Sequence, residues 1–368
     1  MASSPLLTAL RLLLISTSRS EFGQLAPLAR AAQSDPRFHA TLVVGGMHHE
    51  SGTPTDAEST GLNLLRLPKP ADSLGLVHQV ALRDLLASHQ PDAVVILGDR
   101  FELLELAVPV VLSGVPLAHL SGGERTAGAV DDLIRNAVSQ LAHLHYPAHA
   151  QAAERLGQLG VDPWRICVAG EPGLDAIRVE ARLSTAELAA VLGIAPQSGD
   201  VLVALHPVTR DPAETAACCV ALREVATDHG GRWFVSSPNG DPGSDLISEQ
   251  LRGYPFVPFA NHGARFFRSL TAACGVQVGN SSAGLVEAPS LGCATIDLGT
   301  RQRGRPRGAS VITLEQPGAS TLRKALTAAT SFRAYARPEL NPYGDGHTCT
   351  RILAHLDTWL RDPRTARR

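Results

Sequence analysis

The stretch Asn280-Ser281-Ser282-Ala283-Gly284-Leu285-Val286-Glu287 combines hydroxyls, a carboxylate and a change of hydrophobic pattern. It follows Cys274-Gly275-Val276-Gln277-Val278-Gly279, which reads as a buried strand, and it opens the segment Gly284 to Leu291, which reads as a helix. A strand that breaks at Gly-Asn-Ser-Ser and resumes as a helix presents the Ser281 and Ser282 hydroxyls and backbone N–H groups at a positive helix end, which suits an anion. The same residues also read as an ordinary helix cap. Glu287, one turn on, suits a ribose diol, and the basic run from Arg301 to Arg305 suits phosphate.

Three further constellations follow apolar strand-like runs: Gly98-Asp99-Arg100, then Ser121-Gly122-Gly123-Glu124 with Asp131-Asp132, then His206-Pro207-Val208-Thr209. Asp99 at a strand end can act as general acid or base, orient a sugar hydroxyl, or cap the helix that contains Glu102. His206 can give a proton, bind phosphate, or bond a loop carbonyl. Arg19, in Thr17-Ser18-Arg19-Ser20, follows the first apolar run; it reads either as a ligand at a strand's carboxyl end or as a surface charge.

The elements that position these groups are legible as an alternation. Leu12 to Ile15, Ala40 to Val44, Ala93 to Leu97 and Pro116 to Leu120 are strand-length apolar runs, and Gly23 to Ala32, Leu74 to Ser88 and Glu102 to Leu112 repeat apolar residues at helical spacing. Strands apolar on both faces imply a parallel sheet covered on both sides. The pattern restarts with strand Val201 to Leu205, helix Ala213 to Ala226, strand Trp233 to Val235, and helix Phe266 to Ala273. The expectation is an α/β chain of two Rossmann-like, doubly wound domains, residues 1–172 and 173–345, followed by a C-terminal helix and basic tail over 346–368. The breaker-rich Gly170-Glu171-Pro172-Gly173 is the expected hinge, and the site groups are expected in the cleft between the domains.

The 368 residues, 44% hydrophobic and 18% charged, are enough for two ordinary cores. A net charge of −2 argues against a nucleic-acid partner. The six cysteines show no paired metal-ligand spacing and read as reduced, buried packing residues. Arg11 interrupts the apolar N-terminal run and no stretch reaches membrane-spanning length, so a cytoplasmic protein without a membrane partner is expected.

Taken in order, Ser18-Arg19-Ser20-Glu21-Phe22-Gly23, Gly46-Met47-His48, Gly98-Asp99-Arg100, Gly122-Gly123-Glu124, Gly128-Ala129-Val130-Asp131, Ala142-His143-Leu144-His145, His206-Pro207-Val208-Thr209, Pro238-Asn239-Gly240-Asp241, Gly279-Asn280-Ser281-Ser282 and Arg301-Gln302 form a series. Over nearly the whole chain this series resembles the hydrolysing UDP-N-acetylglucosamine 2-epimerases. The resemblance implies the glycosyltransferase-B architecture, a nucleotide-diphosphate sugar as partner, no metal, no cofactor and a homodimer. By motif match Arg19, His206, Ser281, Ser282, Glu287 and Arg301 would contact the nucleotide; His48, Arg100, Ser121 and Asn136 would face the sugar or an acceptor; and Asp99, Glu124, Asp131 and His206 would carry catalysis. In that family the anomeric C–O bond breaks with loss of the C2 proton, giving a glycal and UDP, and water then adds to give the 2-epimer.

The chain departs from the family at Ser121, where members carry Glu or His, and at Asn136, where His is usual. A lone serine is a poor base near neutrality, and asparagine does not titrate. These losses shift the expectation toward glycosyl transfer onto a small soluble thiol or hydroxyl acceptor, with the hydrolysing epimerase as the alternative and an inactive nucleotide-sugar sensor as the third reading.

Overall fold

The computed structural model describes residues 8–49, 59–69, 76–125, 131–208, 211–237, 243–253 and 255–364. The motif pieces Gly128-Ala129-Val130, Thr209 and Pro238-Asn239-Gly240-Asp241, and the end of the basic tail, lie outside the described residues. The chain divides into two compact units: Met1–Arg125, Ala129–Ala176 and Gly346–Arg368 make the first, and Ile177–Asp345 the second. The division falls at Ala176, a few residues beyond the breaker-rich stretch, and the C-terminal helix belongs to the first unit.

In the first unit the strands are β1 (Leu10–Ser16), β2 (Phe38–Val44), β3 (Leu64–Arg66), β4 (Ala93–Leu97), β5 (Leu117–Leu120) and β6 (Leu144–Tyr146). They form one sheet in the order β3-β2-β1-β4-β5-β6, with every pair parallel. Alternation along each strand builds two cores. Leu12 and Leu14 of β1, with Ala93 and Val95 of β4, face one helix layer, and Leu13, Ile15, Val94 and Ile96 face the other. Both faces are dry, which is why these runs are apolar throughout rather than at every second residue.

The helices of this unit are α1 (Arg19–Gln33), α2 (Leu76–His89), α3 (Phe101–Leu112), α4 (Asp131–Leu141), α5 (Ala150–Gln158), α6 (Gly173–Val179), which starts here and continues past the division at Ala176, and, from the far end of the chain, α13 (Thr348–Arg361). The start of α1 is a capping box between Ser18 and Glu21. Helix α13 lays Ile352, Leu353, Leu356 and Trp359, one apolar stripe, onto the core shared by β1 and α1. Asp175 of α6 accepts the Thr348 and Cys349 N–H groups at 2.8 Å each, tying down the open end of α13.

The second unit repeats the plan. Its strands are β7 (Val201–Ala204), β8 (Trp233–Ser236), β9 (Phe256–Phe259), β10 (Val276–Gly279), β11 (Ala294–Leu298) and β12 (Val311–Leu314), ordered β12-β11-β10-β7-β8-β9 and again all parallel. Read from the other edge, this is the first sheet's order, with its first and fourth strands adjacent at the middle. Its helices are α7 (Thr185–Leu192), α8 (Pro212–Ala226), α9 (Ser244–Gln250), α10 (Ala264–Cys274), α11 (Ala283–Val286) and α12 (Ala319–Phe332). Two parallel six-stranded sheets between helices are the α/β, doubly wound class expected from the alternation. Among the described residues no helix is long and apolar enough to cross a membrane.

Burial sets opposing pH trends in the first unit. His119 of β5 and His145 of β6 are fully buried, and burial pulls their pKa values down to about 4 and about 3. Burial pushes the Glu21 carboxyl up to about 7, against the Thr17 hydrogen bonds that favour its charge. The stability that neutral His119 contributes is therefore complete above about pH 6.5 and is lost as pH falls toward 4; that of protonated Glu21 is complete below about 4.5 and is lost as pH rises through 7. Glu21→Gln removes only the second trend. The stability difference between wild type and this variant, from urea melts, is expected to shrink by about 3 kcal/mol between pH 4.5 and 7. A difference constant over that range contradicts a buried, protonated Glu21.

Candidate functional site

In an open parallel sheet, the crevice for a ligand lies beyond the carboxyl ends of the two strands at which the order reverses. In the first unit those strands are β1 and β4, and the residues that follow them are Thr17-Ser18-Arg19 and Gly98-Asp99-Arg100. Strand β5 is the next neighbour. Leu97 pairs with Leu120 and Gly98 N–H donates to the Leu120 carbonyl at 3.1 Å, so the turns beginning at Gly98 and Ser121 lie side by side.

Asp99 ion-pairs through Oδ2 with the buried Arg135 of α4. Arg135 also donates to Asp132 Oδ1 at 2.6 Å and to the Glu124 carbonyl at 2.8 Å, so one guanidinium gathers three acidic or carbonyl groups. The Gly98 carbonyl accepts from His119 Nε2 at 2.8 Å, and with that tautomer Nδ1 accepts the Ser139 hydroxyl at 3.0 Å. The turn that carries Asp99 is thus braced from below by a buried neutral imidazole. Asp99 is not the cap of α3: that position belongs to Arg100, whose side chain makes no capping bond and instead reaches Glu102 Oε2 at 3.3 Å. Asp131 is the first residue of α4, and Asn136 sits half-buried one turn further along.

Two expected site residues of this unit make contacts in its interior. Glu124 is buried, and its Oε1 lies 2.7 Å from His149 Nε2. His149 Nδ1 accepts the Ala152 N–H at 3.2 Å, which makes the imidazole the cap of α5 and leaves Nε2 to face the carboxylate. Glu124, expected among the catalytic groups, thus makes a buried pair with the imidazole that caps α5. His48 is 1% exposed in the turn Gly46–His49, with Nε2 2.9 Å from the Ser16 hydroxyl. The Ser16 hydrogen goes to the Ser18 carbonyl, so His48 is the donor and supports the end of β1.

Ser121 has φ +58, a left-handed conformation that a non-glycine residue rarely adopts. Its amide donates to the Tyr146 carbonyl at 3.0 Å, and its hydroxyl donates to Glu171 Oε1 at 3.2 Å. Glu171 stood in the sequence only as part of a breaker-rich hinge, and no local pattern pairs it with a residue fifty positions earlier.

In the second unit the reversal lies between β7 and β10, whose ends run into His206 and Asn280. Gly279 has φ +143, and a Cβ there would overlap the Ala204 carbonyl, so only glycine lets the two strands meet so closely. Asn280, fully buried, then clamps its neighbour: Oδ1 accepts the His206 N–H at 2.7 Å and Nδ2 donates to the His206 carbonyl at 2.9 Å. The Asn280 carbonyl in turn accepts Arg301 at 3.1 Å and Gln302 at 2.8 Å. One amide residue fixes His206 and Arg301 together. The loop before Arg301 is held by Glu214 of α8, which accepts the Thr300 N–H and hydroxyl at 2.7 Å each.

The helix expected over Gly284 to Leu291 is in fact one α turn, α11, followed by a 3-10 turn, Ala288–Leu291. The aligned peptide dipoles are correspondingly few, and the anion reading of this stretch loses its helix-end argument. Ser282 makes no side-chain capping bond, so its hydroxyl is not spent on the helix. Ser281 Oγ accepts the Ala283 N–H at a long 3.4 Å. Glu287 Oε1 accepts two bonds from Arg268, 2.9 and 3.2 Å, a buried cation that holds the carboxylate in place. Among the described residues no group of three or more His, Cys, Asp or Glu side chains is arranged to hold a metal ion.

Comparison with known proteins fits this geometry. Residues 30–357 match the family model described as UDP-N-acetylglucosamine 2-epimerase. The chain is 31% identical over 366 residues to the UDP-N-acetylglucosamine 2-epimerase of Neisseria meningitidis, covering 95% of this chain and 96% of that one. It is 30% identical to the hydrolysing GDP/UDP-N,N'-diacetylbacillosamine 2-epimerase of Campylobacter jejuni, covering 83% and 84%. In fold it superposes on the Neisseria meningitidis UDP-GlcNAc 2-epimerase structure bound to UDP-GlcNAc with a TM-score of 0.78 at 18% identity, covering 94% of this chain and 99% of that one. The chain belongs to the UDP-N-acetylglucosamine 2-epimerase family of nucleotide-sugar enzymes.

Proposed function

We propose that the protein is a hydrolysing 2-epimerase that takes a UDP-linked N-acetylhexosamine to UDP and the free 2-epimer. The observation that carries this reading is the likeness, over nearly the full length of both chains, to relatives named as 2-epimerases, two of them as hydrolysing. Transfer to a small acceptor, toward which Ser121 and Asn136 pointed, finds no support among those relatives. Its physical premise also weakens, because Ser121 is not a lone hydroxyl: a carboxylate accepts its hydrogen bond.

On this reading the Asn280 clamp sets His206 and Arg301 toward the diphosphate, the free Ser282 hydroxyl adds a donor, and Glu287 orients the ribose. Positioned cations and donors stabilise the departing diphosphate, which is where charge develops. Asp99, held by Arg135, and Asp131 serve the sugar, with Arg19 and Arg100 as the cations beside the ends of β1 and β4. As the anomeric C–O bond breaks, the adjacent C2 hydrogen becomes acidic and a modest base removes it. Water then adds across the glycal.

Incubation of the protein with UDP-N-acetylglucosamine in D₂O is expected to release UDP and a 2-epimer deuterated at C2, at a rate unchanged by added thiols or alcohols. UDP release that requires an acceptor and leaves C2 undeuterated would establish transfer instead. Arg301→Ala is expected to weaken UDP binding by about 1.5–3 kcal/mol, the range for a charge-assisted hydrogen bond. Calorimetry that finds the same affinity removes Arg301 from the nucleotide site.

A further inference from the structure

The family's proton-transfer position at the end of β5 is occupied by Ser121, yet the geometry around it is not that of a residue that has lost its purpose. Ser121 keeps a left-handed backbone that costs a serine free energy, and it is one of two non-glycine residues with positive φ among the described residues. That conformation directs the hydroxyl to Glu171 Oε1, 3.2 Å away. Glu171 is 8% exposed, and the backbone around it is pinned on several sides. Its carbonyl accepts the Leu174 N–H at 3.0 Å and the Thr348 hydroxyl at 3.3 Å, and the next-but-one residue, Gly173, donates to Gln24 Oε1 at 2.6 Å. A Cβ at Gly173 would lie 2.5 Å from Gln24 Oε1, so a side chain there would displace the Gln24 amide from this contact. A carboxylate has been brought, from fifty residues downstream, to the one hydroxyl at the position where a titrating side chain is expected.

We propose that Glu171 is the proton acceptor for the C2 step and acts through the Ser121 hydroxyl; the assignment rests on the hydrolysing 2-epimerase reading. The anomeric C–O bond breaks and its electron pair leaves with UDP. The C2–H bond pair becomes the C1=C2 bond of the glycal. The C2 proton passes to Ser121 Oγ while the hydroxyl's own hydrogen passes to Glu171 Oε1, so Ser121 stays neutral and Glu171 becomes protonated. Water then supplies hydroxide to C1 and, in net, a proton to C2, and Glu171 returns its proton to solvent. No oxidant or metal enters the balance. A serine unable to serve alone becomes adequate because the carboxylate takes up the charge change, and hydrogen bonds of this kind, long without substrate, tighten as the reaction proceeds.

The test reads C2 deuteration and UDP release with UDP-N-acetylglucosamine in D₂O. Glu171→Gln keeps shape and hydrogen bonding but cannot take the proton; kcat is expected to fall by about 100-fold or more with KM within about threefold, and Glu171→Asp to retain more activity than the amide. Ser121→Glu placed in the Glu171→Gln background moves the carboxylate to the hydroxyl's position and is expected to restore at least about tenfold of the loss. A merely structural glutamate would give no such rescue. Should Glu171→Gln not fold, Ser121→Ala carries the test through the same kcat loss. Turnover of either single variant within about threefold of wild type, or failure of the double variant to recover, overturns the assignment. Absence of C2 deuterium from the wild-type reaction itself overturns the hydrolysing reading first, and this assignment with it.

Discussion

A parallel sheet ends all its strands on one edge, and the two sheets of this protein depend on that constraint for everything their loops can do. Because each connection must travel back along a helix before the next strand begins, residues far apart in sequence emerge beside one another at the same rim. Gly98 and Ser121 are neighbours only because Leu97 and Leu120 are paired. His206 and Asn280 meet only because β10 lies against β7. The chemistry-bearing side chains sit in short turns, while the apolar strands behind them carry the energetic weight of holding those turns in register.

The polar groups buried behind the rim divide into two kinds. Some are scaffolding: His119 beneath the Gly98 carbonyl, His48 beneath Ser16, and the Glu124 and His149 pair that starts α5. Each spends its hydrogen-bonding capacity on backbone or on a partner in the interior, where an unsatisfied group is costly. Others hold a charge ready at the surface of the unit: Arg135 behind Asp99, and Arg268 behind Glu287. Glu124 and His48 occupy motif positions and, like the first kind, are buried with partners in the interior.

That division explains what could be read from the chain alone. Strands such as Ala93 to Leu97 and Val201 to Ala204, buried on both faces, announce themselves as unbroken apolar runs, so the α/β class was legible. The short edge strands Leu64–Arg66 and Phe256–Phe259 carry no such signal and emerge only through pairing. The motifs at strand ends located the rims, since Gly, Asn and Ser mark the turns that parallel strands require. What the chain could not disclose was partnership at long range: Arg135 with Asp99, Asn280 with the His206 backbone, Glu171 with Ser121. The length of the helix after Ser282 was overread because its apolar spacing continues through a turn that the backbone tightens to 3-10 geometry.

The return of α13 to the first unit has a bearing on how the chain is made. Ile352, Leu353, Leu356 and Trp359 complete a core whose other walls, β1 and α1, leave the ribosome first. Through the synthesis of all of Ile177–Asp345 that wall is missing, and the apolar face around Leu25 and Leu28 stays uncovered. Domains usually fold in the order in which they emerge. Here the second unit is made before the first can close, so the later-made half can reach its final state ahead of the earlier one, and the nascent chain carries a sticky surface until α13 is made.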